Sequence, residues 1–108
     1  MIGQERQCKE CDGPFVAQRV QHRFCSGGCR KSFHNRRQAR GQKIYDLLML
    51  WRYDRPGDGR EAHKLICRYA SDFKEQDRLD DRGPSWLTLA EMREDGLLGM
   101  VSATVGRT

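Results

Sequence analysis

Cys8-Lys9-Glu10-Cys11 and Cys25-Ser26-Gly27-Gly28-Cys29 decide how this chain is read. They give C-x2-C, a gap of thirteen residues, then C-x3-C. Each pair offers two thiols from one tight turn, and the gap is long enough to fold the second pair back on the first. That spacing predicts one tetrahedral zinc ion held by Cys8, Cys11, Cys25 and Cys29. Disulfides or free thiols are the competing readings. His22 and His34 lie near the cysteines and are possible substitute ligands, although four thiols already complete a tetrahedron. A closed site of this kind leaves no position for water, so the metal is expected to be structural and the protein not an enzyme.

Working outward from the cysteines, Gly13-Pro14 closes the first turn. The β-formers Phe15, Val16, Val20 and Phe24 predict a hairpin of about 15–18 with 21–24. Ser26 can cap a helix that carries Cys29 in its first turn and runs to about residue 40, with Gly41 as its stop or a hinge. The fold class is therefore a small α+β zinc finger followed by a mainly α-helical segment. The expected divisions are residues 1–43 for the finger with its helix, 44–82 for a helical hairpin, 83–98 for a short last helix and 99–108 for a flexible tail.

Charge singles out the helix after Cys29. The net charge of the chain is +5, but residues 1–45 carry +7 and residues 46–108 carry −2. Arg30, Lys31, Arg36, Arg37, Arg40 and Lys43 crowd into this helix, with His34 and Asn35 among them. Arg36, Arg40 and Lys43 share one helical face, and Arg30, His34 and Arg37 the next. Such a surface fits nucleic acid, DNA slightly before RNA, through phosphate contacts with Asn35 or an arginine reaching a base. A solvated basic face or an acidic protein partner are the alternatives. His34-Asn35 also brings a metal-dependent nuclease to mind, but no second histidine or acidic cluster at a recognisable spacing accompanies it.

In the second half, Ile44, Leu47, Leu48 and Trp51 recur at helical spacing, as do Ala62, Leu65, Ile66, Tyr69 and Phe73. Arg55-Pro56-Gly57-Asp58-Gly59 separates them, and Asp58 with Glu61 resembles a capping box. Two antiparallel helices facing each other through these stripes are expected to form the main hydrophobic core. Thr88 to Glu91 is a second capping box, Gly96 a fitting stop, and Trp86, Leu89 and Met92 are the expected anchors of the last helix. No stretch reaches the roughly 18 apolar residues of a membrane span. Met1–Glu10 lacks the apolar run of a secretory signal, which predicts a reducing cytosol.

The run FCSGGCRKSF, from Phe24 to Phe33, with Cys8-x2-Cys11 before it, resembles the FCSxxC knuckle and helix of small treble-clef zinc proteins. It is similar to the bacterial DNA gyrase inhibitor zinc-finger family, to the zinc fingers of some large-subunit ribosomal proteins and to MYND-type fingers. The longer string from Phe24 to Gly41, followed by IYDLLMLWRYDR, resembles uncharacterised zinc-finger proteins of alphaproteobacteria and their mobile elements. The resemblance implies a treble clef (knuckle, hairpin, helix) and carries over only the four cysteines. HNRRQAR stands where the gyrase inhibitors have an acidic-apolar segment, and the ligands for a second MYND zinc are absent. Two functions follow: a nucleic-acid-binding adaptor or regulator, or an interaction module that binds or inhibits a partner enzyme.

Overall fold

The computed structural model describes residues 3–98. β1 (Gln4–Gln7) pairs antiparallel with β2 (Pro14–Ala17), Gln4 opposite Ala17 and Gln7 opposite Pro14. The turn between them carries the first two cysteines. It closes through Cys8 N–H to Gly13 O at 2.8 Å and Asp12 N–H to Cys8 O at 2.9 Å. Asp12 takes φ +62, a left-handed conformation in which Asp is enriched among non-glycine residues.

This corrects the expected hairpin at 15–18 and 21–24. Its first strand is present as β2, but its partner lies upstream, in a polar stretch without β-formers. Residues 18–24 fold into a turn instead. There the Arg6 guanidinium donates to Val20 O at 2.7 Å and His22 O at 3.1 Å, satisfying carbonyls that a strand ladder would otherwise pair.

α1 (Gly27–Tyr53) starts where expected, with the Ser26 hydroxyl accepting from Cys29 N–H at 3.2 Å. It does not stop at Gly41. A glycine inside a helix costs about 1 kcal/mol relative to alanine, too little to end a helix gripped on both sides of that point. α1 therefore crosses from the finger into the hairpin without interruption. α2 (Arg60–Leu79) returns alongside it after the kinked turn Arg55–Gly59. Asp54, not Asp58, caps this turn: its Oδ2 accepts from Asp58 N–H at 3.1 Å, and Gly59 N–H reaches Asp54 O at 2.8 Å.

The two glycines should respond oppositely to alanine. Nothing lies within 4 Å of a Cβ built at Gly41, whereas one at Gly59 would sit 2.8 Å from the Asp54 carbonyl oxygen. Gly41→Ala is expected to stabilise by up to about 1 kcal/mol and Gly59→Ala to destabilise by roughly 1–3 kcal/mol. Urea midpoints of the two variants check both signs.

α3 (Leu89–Glu94) has the expected capping box between Thr88 and Glu91, and Gly96 follows with φ +77. Its anchors differ from expectation. Leu87 is buried, while Trp86 is half exposed and Leu89 exposed. Ion pairs hold this segment in place: Arg23 reaches Glu94 at 2.7 Å and Asp95 at 3.2 Å, and Lys9 reaches Glu91 at 3.3 Å.

The core is also displaced from where the apolar stripes place it. The largest fully buried side chains are Phe33 and Cys8, packed with Phe24, Phe15 and Cys29 under the finger. In the helical hairpin Ala62 is buried, and Ile44, Leu47, Leu65, Ile66, Tyr69 and Phe73 are half-buried. Tyr45, Leu48 and Met49 face outward, and Trp51 lays its ring against His63 of α2 at 4.9 Å. The described part measures 51 × 37 × 18 Å, and a body 18 Å thick has no third layer to cover a second helical face. Among the described residues, no helix is long and apolar enough to cross a membrane. The tail expected at 99–108 lies outside the described residues.

Candidate metal centre and adjoining basic helix

The β1–β2 turn and the N-terminus of α1 bring Cys8, Cys11, Cys25 and Cys29 together, their sulfurs all within 4.8 Å of one another. Cys11 and Cys25 Sγ are 3.7 Å apart, and Cys25 and Cys29 Sγ 3.6 Å. Four sulfurs at about 2.3 Å from a tetrahedral zinc ion stand about 3.8 Å apart, so the donor set has the right size.

Its surroundings also fit. Glu10 N–H and Cys25 N–H both point at Cys8 Sγ at 3.4 Å, and Gly13 N–H points at Cys11 Sγ at 3.4 Å. Amides directed at sulfur stabilise thiolate ligands. A Cβ at Gly13 would stand 3.3 Å from Cys11 Sγ and crowd it. Burial raises the Cys8 thiol, but the amides of Cys11, Cys25 and Glu10 outweigh it and bring the pKa down to about 7. Cys25 is pushed up to about 12 by hydrogen bonding to Cys29, Cys11 and Cys8. Thiols this close cannot all ionise beside one another without a cation, and one metal ion held by the four sulfurs would supply it.

Neither nearby histidine joins the sulfurs. His22 Nδ1 accepts from Gln18 N–H at 3.0 Å, and its ring meets Phe15 edge-on. His34 stands edge-on to Phe24 and Phe33, with centroids 5.8 and 5.6 Å away.

The basic residues of α1 divide into two groups. Arg36 and Arg40 turn inward, with side chains 14% and 12% exposed, which corrects the expectation that they share an open face with Lys43. Arg36 grips Glu10 with two nitrogens, at 2.7 and 2.9 Å, and donates to Ser85 Oγ at 2.8 Å. Arg40 binds Asp77 at 3.0 and 3.3 Å and covers the Phe73 ring at 4.8 Å. Arg82 also reaches Asp77, at 3.3 Å. Glu10 additionally accepts from Ser32 Oγ at 2.7 Å. One network thus runs from the turn between two cysteines, across α1, to the end of α2.

Glu10 and Asp77 were not legible as site residues, because their partners lie 26 and 37 residues away in the chain. Much of the charge split is therefore internal: Lys9, Arg23, Arg36 and Arg40 meet the acids of the second half.

The second group is open. Arg30, Lys31 and Lys43 are exposed and Arg37 half-buried, and among the described residues none has a carboxylate within 4 Å. Exposed Asn35 and His34 lie among them. Arg37 rests over Phe33 at 5.0 Å, and burial, then neighbouring Arg36, lowers its pKa. The geometry is that of a turn and a helix start brought together at four cysteines, with unpaired cations spread around the exposed part of that helix. No protein-family model, curated protein or solved structure matches this chain.

Proposed function

We propose that the chain is a zinc-dependent nucleic-acid-binding adaptor or regulator, with DNA the preferred polymer. The four cysteines take one structural zinc ion, and the metal fixes the start of α1. The observation that carries the reading is the set Arg30, Lys31, Arg37 and Lys43. These cations stay unneutralised on the helix that begins at the metal site, while their neighbours Arg36 and Arg40 are paired internally. Unpaired arginines and lysines on a fixed helix suit phosphate contacts, and Asn35 can reach a base edge.

Binding to labelled DNA and RNA across a salt series tests this. Affinity should fall linearly on a log–log plot, and Lys31→Gln with Lys43→Gln should flatten the slope by about two units. Salt-independent binding, or none to either polymer, would overturn the proposal.

A second reading rests on the outward apolar residues Tyr45, Leu48, Met49 and Tyr53 of α1, with Trp86 beside the hairpin. They support an interaction module docking a protein partner. A chain that is monomeric and retains no protein in a pull-down would remove that alternative.

A further inference from the structure

A cleft of about 500 Å³ opens beside the finger, where the 18–24 turn faces the first three turns of α1. Arg30, His34 and Arg37 line one side, and Arg19 and His22 the other. Phe24 and Phe33, both buried, close the floor. Arg30 and Arg37 belong to the face expected from helical spacing. Arg19 and His22 come from the turn that replaced the expected second strand.

Three properties make this a built site. Among the described residues, Arg19, Arg30 and Arg37 have no carboxylate within 4 Å, and Arg37 is half-buried in that condition. A guanidinium partly removed from water without a counter-ion favours an incoming anion. The two imidazoles are held in fixed planes: His22 by Gln18 N–H and the Phe15 edge, His34 by the edges of Phe24 and Phe33. Arg23, whose side chain is 10% exposed, lines the same cleft and, among the described residues, has its Nε buried without a hydrogen-bond partner, while its other nitrogens are held by Glu91, Glu94 and Asp95, the last of which also lines the cleft.

We propose that the cleft takes one unstacked nucleotide of a single-stranded nucleic acid, the arginines holding its phosphate and the exposed His34 imidazole meeting its base. This deepens the nucleic-acid reading and rests on it. Concavity is the deciding feature. A duplex presents a convex rail of phosphates with its bases stacked inside, whereas a strand without a partner can turn one base into a recess. Planar rings and guanidinium groups around such a recess accept any base by its face, so the site selects strandedness before sequence.

Fluorescence anisotropy with a labelled dT12, the matching dT12·dA12 duplex and an rU12 strand, all at one salt concentration, provides the test. The expected result is at least tenfold tighter binding of one or both single strands than of the duplex. Arg19→Gln lies outside α1, so it separates the cleft from the exposed helix face. It should weaken single-strand binding about tenfold and leave duplex binding unchanged, with zinc content and circular dichroism as in the wild type. Thymidine 5′-monophosphate should compete with dT12 at concentrations where inorganic phosphate does not. Equal affinity for strand and duplex, an Arg19→Gln variant that binds dT12 normally, or equal competition by phosphate would each overturn the cleft while leaving nucleic-acid binding by α1 standing. Binding to none of the three polymers would overturn both.

Discussion

Cys25→Ser is expected to abolish the cooperative fold of the chain, not only that of the finger. Cys25 sits at the centre of the sulfur cluster, 3.7 Å from Cys11 and 3.6 Å from Cys29, and its own amide points at Cys8 Sγ. Structural zinc in small fingers supplies on the order of 10 kcal/mol of apparent folding free energy. Nothing else here replaces it. Cys8 and Phe33 are the largest fully buried side chains, and both belong to the cluster packed around the cysteines. Apart from Ala62, the facing stripes of α1 and α2 in the hairpin are only half-buried, and helices in water depend on tertiary packing for most of their stability. Loss of the metal should therefore be followed by loss of most of the far-ultraviolet helical signal. The wild type with a strong chelator should behave as Cys25→Ser does. Cys67→Ser, at an exposed cysteine on α2, should keep one zinc and stay within about 0.5 kcal/mol of the wild type. A Cys25→Ser protein that retains its helical signal and its cooperative melt would show that the hairpin folds without the finger.

The features legible in the sequence are those written in short-range chemistry. Cysteine spacing announced the donor set, Ser26 the start of α1, and Thr88 with Glu91 the start of α3. Each is written in residues within a few positions of one another, the donor set as two such pairs. What could not be read depends on partners far along the chain. β1 has no β-forming residues and is a strand through its pairing with β2, while the guanidinium of Arg6 ties it to the 18–24 turn. Gly41 looks like a stop, but Arg40 is tied to Asp77 and Phe73 across the hairpin, and the helix continues. The dense arginines of α1 have one local pattern and two fates, decided by acids placed more than twenty residues away. The apolar stripes promised a core that a molecule one helix layer thick cannot enclose.

The same acids lead to the second large effect, at Asp77. Its side chain is 5% exposed and meets Arg40 at 3.0 Å, Arg82 at 3.3 Å and Arg36 at 3.8 Å. Asp77→Asn should destabilise the chain by roughly 3 kcal/mol, since it leaves Arg40 without a carboxylate, while Arg36 keeps Glu10 and Arg82 keeps Asp80. Asn keeps the shape and one of the two accepting oxygens, and turns the other into an amide donor facing a guanidinium group, so the loss measures charge and hydrogen bonding and not packing. The double variant Asp77→Asn with Arg40→Gln should recover part of it, because the stranded charge is removed with its partner. pH gives an independent check. Burial raises the Asp77 carboxyl, but hydrogen bonds from Arg40 and Ser85 and the charge of Arg40 outweigh it and hold the pKa below its ordinary 3.8. A lowered pKa in the folded state means that the stabilisation is fully present above 3.8 and fades as pH falls through the folded value. The gap in urea midpoint between wild type and Asp77→Asn should thus be constant from neutral pH to about 5 and close in stronger acid. Because Arg36 joins Asp77 to Glu10, and Glu10 lies between Cys8 and Cys11, Asp77→Asn should also speed zinc loss to a chelator. A variant with wild-type stability and an unchanged rate of zinc release would mean that the ion pairs across α1 neither hold the hairpin to the finger nor support the metal site.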